Sequence, residues 1–156
     1  MYTIQEITQD KKSLLPLLLL ADPSETMIDR YLPQGQMFSL VLEETIPVCV
    51  AVVVHESPDI CELKNLATSP AYQNRGFASY LMQDLFQRFR ATCSRMLVGT
   101  SENGVSFYKR LGFTYAFTRQ EFFTKYYSDP IFENGKQCID MIYLEKDLHA
   151  RPAVRT

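Results

Sequence analysis

Gln73-Asn74-Arg75-Gly76-Phe77-Ala78 is the stretch on which the reading of this chain turns. The apolar run Ile60 to Ala67 precedes it. A helix-periodic segment follows, with Phe77, Leu81, Met82, Leu85, Phe86 and Phe89 on one side and Gln83, Asp84, Gln87, Arg88 and Arg90 on the other. A strand that passes through a glycine turn into a helix leaves unpaired backbone N–H groups aimed at one spot, with the positive end of the helix dipole behind them. Such a turn is a seat for phosphate. Gly76 admits a left-handed backbone angle, and the small Ala78 allows a bulky anion to approach closely.

Working outward, Tyr2 to Ile7 reads as a first strand. Ser13 is expected to cap a short helix that holds Pro16 in its first turn. Asp22 is expected to cap a second, with Pro23 first and Glu25 third, ending near Tyr31. Met37 to Glu43 alternates, placing Phe38, Leu40 and Leu42 on one face. Pro47 cannot donate to a ladder, so the valine-rich strand Val48 to Val54 is expected to start after it. Arg95 to Thr100 is another strand, and Asn103 is expected to cap a short helix that Gly112 ends in a left-handed turn. Thr114 to Tyr126 and Gln137 to Glu145 read as the last strands. Ser128-Asp129-Pro130 and Glu133-Asn134-Gly135 mark a long hairpin connection between them. The order βααβββαβαββ predicts an α+β fold, with a mixed central sheet of about seven strands and about four helices.

At 156 residues, one domain over 1–148 with a flexible tail at 149–156 is expected. The apolar fraction of 46% and charged fraction of 22% are those of a globular chain, and a net charge of −2 argues against a general nucleic-acid binder. Four cysteines include no C-x-x-C pair. Cys49 and Cys61 lie in apolar strand segments and read as buried thiols, which suits a reducing cytoplasm. The apolar run Leu14 to Ala21 is broken by Pro16 and falls short of the roughly 20 residues a membrane span needs. It lacks the basic flank and cleavage site of a secretory signal.

Two further blocks complete a pattern: Glu62-Leu63-Lys64-Asn65-Leu66-Ala67-Thr68-Ser69-Pro70 upstream, and Asn103-Gly104-Val105-Ser106-Phe107-Tyr108-Lys109-Arg110-Leu111-Gly112-Phe113 downstream. In this order the chain resembles the GNAT family of acetyl-CoA-dependent N-acetyltransferases, over roughly Gln36 to Leu148. Its Phe122–Leu148 segment looks like that of uncharacterised bacterial members. The resemblance implies the GNAT acyl-CoA N-acyltransferase fold and acetyl transfer from acetyl-CoA to a primary amine by direct attack in a ternary complex. No metal is implied.

The resemblance also implies roles. Backbone N–H groups across Asn74, Arg75, Gly76, Phe77, Ala78 and Ser79 would hold the pyrophosphate, with side-chain help from Gln73 and Arg75. The strand Leu66-Ala67-Thr68 would pair with the pantetheine arm and the acetyl oxygen. Tyr108 would protonate the leaving thiolate, a task that suits a phenol of ordinary pKa about 10. Asn103 would touch the cofactor arm, although many members space this Asn seven residues before the tyrosine, which falls on Ser101 here. Glu62 is the first candidate base, with Glu121, Glu133 and His55 behind it.

The acceptor is expected between the Asp22–Gln36 region and the hairpin aromatics Phe122, Phe123, Tyr126, Tyr127 and Phe132. It is a small-molecule or peptide amine, and the acidic balance favours a cationic one. Neither nucleic acid nor membrane is an expected partner, and a homodimer is one arrangement left open. Two other functions compete: a catalytically silent acyl-CoA sensor, and an interaction module built on the same fold.

Overall fold

The computed structural model describes residues 1–149. Its strands are β1 (Tyr2–Ile7), β2 (Gln36–Leu42), β3 (Ile46–His55), β4 (Ile60–Thr68), β5 (Arg95–Thr100), β6 (Thr114–Arg119), β7 (Phe132–Glu133), β8 (Lys136–Gln137) and β9 (Met141–Asp147). The α-helices are α1 (Leu15–Ala21), α2 (Glu25–Tyr31), α3 (Phe77–Arg90), α4 (Val105–Arg110) and α5 (Phe122–Tyr126). Seven strands form one mixed sheet in the order β1-β2-β3-β4-β5-β9-β6, and β7 pairs with β8 separately. The expected α+β architecture is present, with five α-helices among the described residues where about four were expected. Apart from His149, the expected tail lies outside the described residues.

Two compact units divide the chain. The first comprises Met1–Glu56 and Glu62–Leu85. Its antiparallel ladder runs from Tyr2↔Leu42 to Ile7↔Met37, then from Gln36↔Val53 to Leu42↔Ile46. Leu18, Ile28 and Leu32 from the helical segment bury against Met37, Val50, Val52 and Ala67. Each such aliphatic side chain contributes roughly 1.5–3 kcal/mol through removal from water.

Three local expectations for this unit are corrected. Ser13 does not cap α1: a left-handed Asp10 opens a 3₁₀ turn at Lys11–Leu14, and the Ser13 N–H is spent on the Asp10 carbonyl at 2.9 Å. Ser24, not Asp22, caps α2, its Oγ accepting from the Met27 N–H at 3.2 Å. Asp22 instead accepts from the buried Tyr31 hydroxyl at 3.1 Å. β3 begins at Ile46 and contains Pro47, because the register slips between Leu40 and Val41 beside it, where a missing donor is tolerated.

The second unit comprises Ser57–Cys61 and the described residues from Phe86 to His149. β9 pairs antiparallel with both β5 and β6. Phe86 meets Phe113 at 5.8 Å between ring centroids, and Phe117 stacks on Tyr143 at 4.5 Å. Here the expected long strand Thr114 to Tyr126 is corrected. β6 stops at Arg119, Glu121 turns left-handed (φ 56°), and Phe122–Tyr126 coils into α5. Helical spacing lets Phe122 touch Phe123, Tyr126 and Tyr127 at 5.4, 4.9 and 6.4 Å, which a strand's alternation cannot do. The last strand starts at Met141 rather than Gln137. The residues before it form the β7–β8 hairpin around Asn134-Gly135, both left-handed (φ 52° and 77°).

Candidate active site

In the first unit the strand–turn–helix passage has the geometry expected of it. β4 ends at Thr68, the Ser69 N–H bonds the Val48 carbonyl at 2.8 Å, and a 3₁₀ turn follows at Pro70–Tyr72. Asn74 and Gly76 are both left-handed, at φ 62° and 83°. Nothing lies within 4 Å of the place a Gly76 Cβ would take, so the backbone angle, not crowding, calls for glycine. The first ladder bond of α3 runs from the Tyr80 N–H to the Gly76 carbonyl at 3.0 Å. The N–H groups of Phe77, Ala78 and Ser79 therefore precede the ladder and project from the positive end of a 14-residue helix. A cavity of 310 Å³ lined by Tyr2, Arg75, Gly76, Phe77 and Tyr80 opens beside this turn.

Side chains around the turn are partly committed. Gln73 donates to the Thr68 carbonyl at 3.1 Å, bracing the turn against the strand that feeds it. The Arg75 guanidinium lies 5.6 Å from the Tyr72 ring centroid. Within β4, Ala67 belongs to the apolar core, Leu66 and Thr68 are half-buried, and the Thr68 hydroxyl donates to the Cys49 sulfur at 3.4 Å.

Glu62 is only 6% exposed, and its carboxylate pairs with the Lys64 ammonium at 2.8 Å. Burial pushes its carboxyl above the ordinary range. Lys64 pulls it back down, and the neighbouring Glu56 carboxylate adds to the rise. A carboxylate held in this way accepts a proton more readily than an exposed one.

In the second unit, α4 carries Tyr108, whose ring meets Phe107 edge-on at 5.0 Å and Phe113 at 5.5 Å. Its carbonyl accepts from the N–H groups of Leu111 and Phe113. Asn103 is not a helix cap: it sits inside a 3₁₀ turn at Glu102–Gly104, and α4 starts from Gly104. Its amide donates to the Glu133 carbonyl at 3.2 Å. No group of three or more His, Cys, Asp or Glu side chains that could hold a metal occurs among the described residues.

Residues 33–115 match the family model described as an acetyltransferase (GNAT) domain. Over 147 residues the chain is 33% identical to the uncharacterized N-acetyltransferase YvbK of Bacillus subtilis, covering 92% of this chain and 93% of that one. It belongs to the GNAT acetyltransferase family. Among solved structures, a GNAT family acetyltransferase from Elizabethkingia anophelis with acetyl-CoA bound superposes with a TM-score of 0.88 at 31% identity, over 94% of this chain and 97% of that one. A Bacillus subtilis acetyltransferase in complex with CoA gives 0.85 at 30%, over 94% and 99%.

Within the GNAT frame, Glu62, Leu66, Ala67, Thr68 and the run Gln73–Ser79 fall in the first unit, strung along β4, its turn and the start of α3. Asn103 and Tyr108 fall in the second. Other base candidates have different surroundings. The Glu121 N–H donates to Asp140, and His55 sits exposed at the end of β3. Glu133 accepts from Ser101 and Cys138. Spacing alone draws Ser101 into the site, and it gives no sign that this buried hydroxyl is committed to Glu133. The sequence likewise does not mark the buried chain Asp22–Tyr31–Asn65, joined at 3.1 Å per link. Polar residues scattered over 44 positions of sequence carry no periodic signal of such a chain.

Proposed function

We propose that this chain is an acetyl-CoA-dependent N-acetyltransferase acting on a primary amine, with both substrates bound when the amine attacks. The observation that carries this reading is the turn with left-handed Asn74 and Gly76 at the head of α3, after which the Phe77, Ala78 and Ser79 amides precede the helix ladder. It gains support from relatives at 30 and 31% identity that were crystallised with CoA and with acetyl-CoA.

In this reading the turn amides and Arg75 take the pyrophosphate. Backbone groups of Leu66, Ala67 and Thr68 hold the pantetheine arm and polarise the thioester carbonyl. The amine nitrogen bonds to the carbonyl carbon, and the carbon–sulfur bond breaks. Sulfur departs with the bonding electrons and takes the Tyr108 hydroxyl proton; the proton shed by nitrogen goes to Glu62, directly or through water. Glu62's raised pKa suits that second transfer. Asn103 spends one amide N–H on the Glu133 carbonyl, and its second N–H and Oδ1 are the groups for the cofactor arm.

A thiol-release assay with acetyl-CoA and a panel of primary amines (spermidine, amino acid amides, an aminoglycoside, a lysine peptide) tests this. At least one amine should release CoA and become acetylated. Acetyl-CoA binding without turnover of any amine would favour a silent sensor, and no binding would favour an interaction module.

A further inference from the structure

The β7–β8 hairpin is fastened to the loop that launches α4, and the fastening centres on one carboxylate. Ser101 is 6% exposed, and its hydroxyl donates to both Glu133 oxygens at 3.2 Å. The Cys138 thiol donates to Glu133 Oε1, also at 3.2 Å. Burial and the adjacent Glu133 push this thiol up to about 11, so near neutral pH it keeps the proton it donates. The Asn103 amide holds the Glu133 carbonyl at 3.2 Å, and Lys136 pairs with Glu102. Cys138's own N–H closes the base of the hairpin on the Ile131 carbonyl at 2.7 Å.

The receiving loop has little freedom. Ser101 stands at the N-cap of the 3₁₀ turn, yet its side chain makes no cap bond, because its hydroxyl points to Glu133. A Cβ on Gly104 would collide with the Thr100 hydroxyl, so the loop lies flat against the end of β5. α4 begins at the next residue, and Tyr108 is its fourth. A side-chain latch at Ser101 therefore reaches Tyr108 through a short, tightly folded connection.

We propose that Glu133, acting through Ser101 and assisted by Cys138, is a positioning residue that fixes α4 and thereby the Tyr108 hydroxyl. The proposal rests on the transferase reading for the use of Tyr108, but not for the latch itself. Ser101 takes this part in the position where many family members place the cofactor-arm asparagine.

The test reads Tyr108 in the substrate-free protein through its ring ¹³Cζ signal, assigned by its disappearance in Tyr108→Phe. Ser101→Ala and Glu133→Ala should each move or broaden that signal. Glu133→Gln, which keeps an oxygen for the hydroxyl and the thiol, should restore it. With an amine turned over in the thiol-release assay, both alanine variants should lose about tenfold to a hundredfold in kcat. KM for acetyl-CoA should hold within about twofold, and the double variant should lose no more than either single one. An unmoved Tyr108 signal in both folded alanine variants would overturn the proposal. So would a Glu133→Gln enzyme as impaired as Glu133→Ala with the acidic limb of its pH–rate profile gone, since Glu133 would then be a proton acceptor. Failure of the transferase reading shows separately, as no thiol release with any amine of the panel, whether or not acetyl-CoA raises Tm.

Discussion

Gly76 and Glu62 show how single residues are pulled by backbone angle and by solvent. A side chain at Gly76 would meet no neighbour but would have to hold φ near 83°. Gly76→Ala is therefore expected to cost about 1–2 kcal/mol of folding stability, measured by urea unfolding. A neutral result would mean that the turn relaxes. At Glu62 the folded chain binds its proton more tightly than the unfolded chain, because burial outweighs the Lys64 ion pair. The stability this proton confers is complete below the ordinary carboxylate range and drains away as pH rises through the raised value. Glu62→Gln, neutral throughout, should gain in Tm over the native chain near pH ~8 and show no such gain near pH ~4. The same difference at both pH values would contradict the burial argument. Tyr108→Phe is expected to lower kcat by about a hundredfold while leaving acetyl-CoA affinity alone, in line with loss of a general acid. An unchanged rate would remove Tyr108 from the chemistry.

Among the elements, β1, β4, β5 and α3 were legible to within a residue, α3 because its apolar residues recur at helical steps and β4 because it runs into the glycine turn. α5 was not: Phe, Tyr and Thr favour strands, and only the left-handed Glu121 and the mutual packing of the rings convert the segment to a helix. Cap assignment failed at Asp22 for a different reason. Both Asp22 and Ser24 are good caps by composition, and the choice falls on Ser24 because the Asp22 carboxylate serves the Tyr31 hydroxyl. The left-handed turn ahead of α3 was legible because glycine and helix periodicity coincide there, whereas the Ser101–Glu133 latch joins residues 32 positions apart. The Asp22–Tyr31–Asn65 chain gives a prediction at this scale. It ties α1 and α2 to β4, with Asn65 also donating to the Leu18 carbonyl at 3.0 Å. Tyr31→Phe removes one hydrogen bond each from the buried Asp22 and Asn65 side chains and should cost about 1–3 kcal/mol in chemical denaturation. A loss below half of that would mean water replaces the hydroxyl.

For the molecule as a whole, the seven-stranded sheet and the match of residues 33–115 to an acetyltransferase (GNAT) domain place the chain in the GNAT family, one of whose structures holds acetyl-CoA. A ligand that binds only the folded state adds stability by mass action. At a hundred times its Kd, acetyl-CoA should add about 2.7 kcal/mol. For a chain of this size that corresponds to a rise in Tm of roughly 5–10 °C. Calorimetric titration of acetyl-CoA into the folded protein tests the central claim most directly. Saturable binding at one site per chain, weakened in Gly76→Ala, is the predicted result. Absence of binding heat up to millimolar acetyl-CoA, at two temperatures, would contradict it.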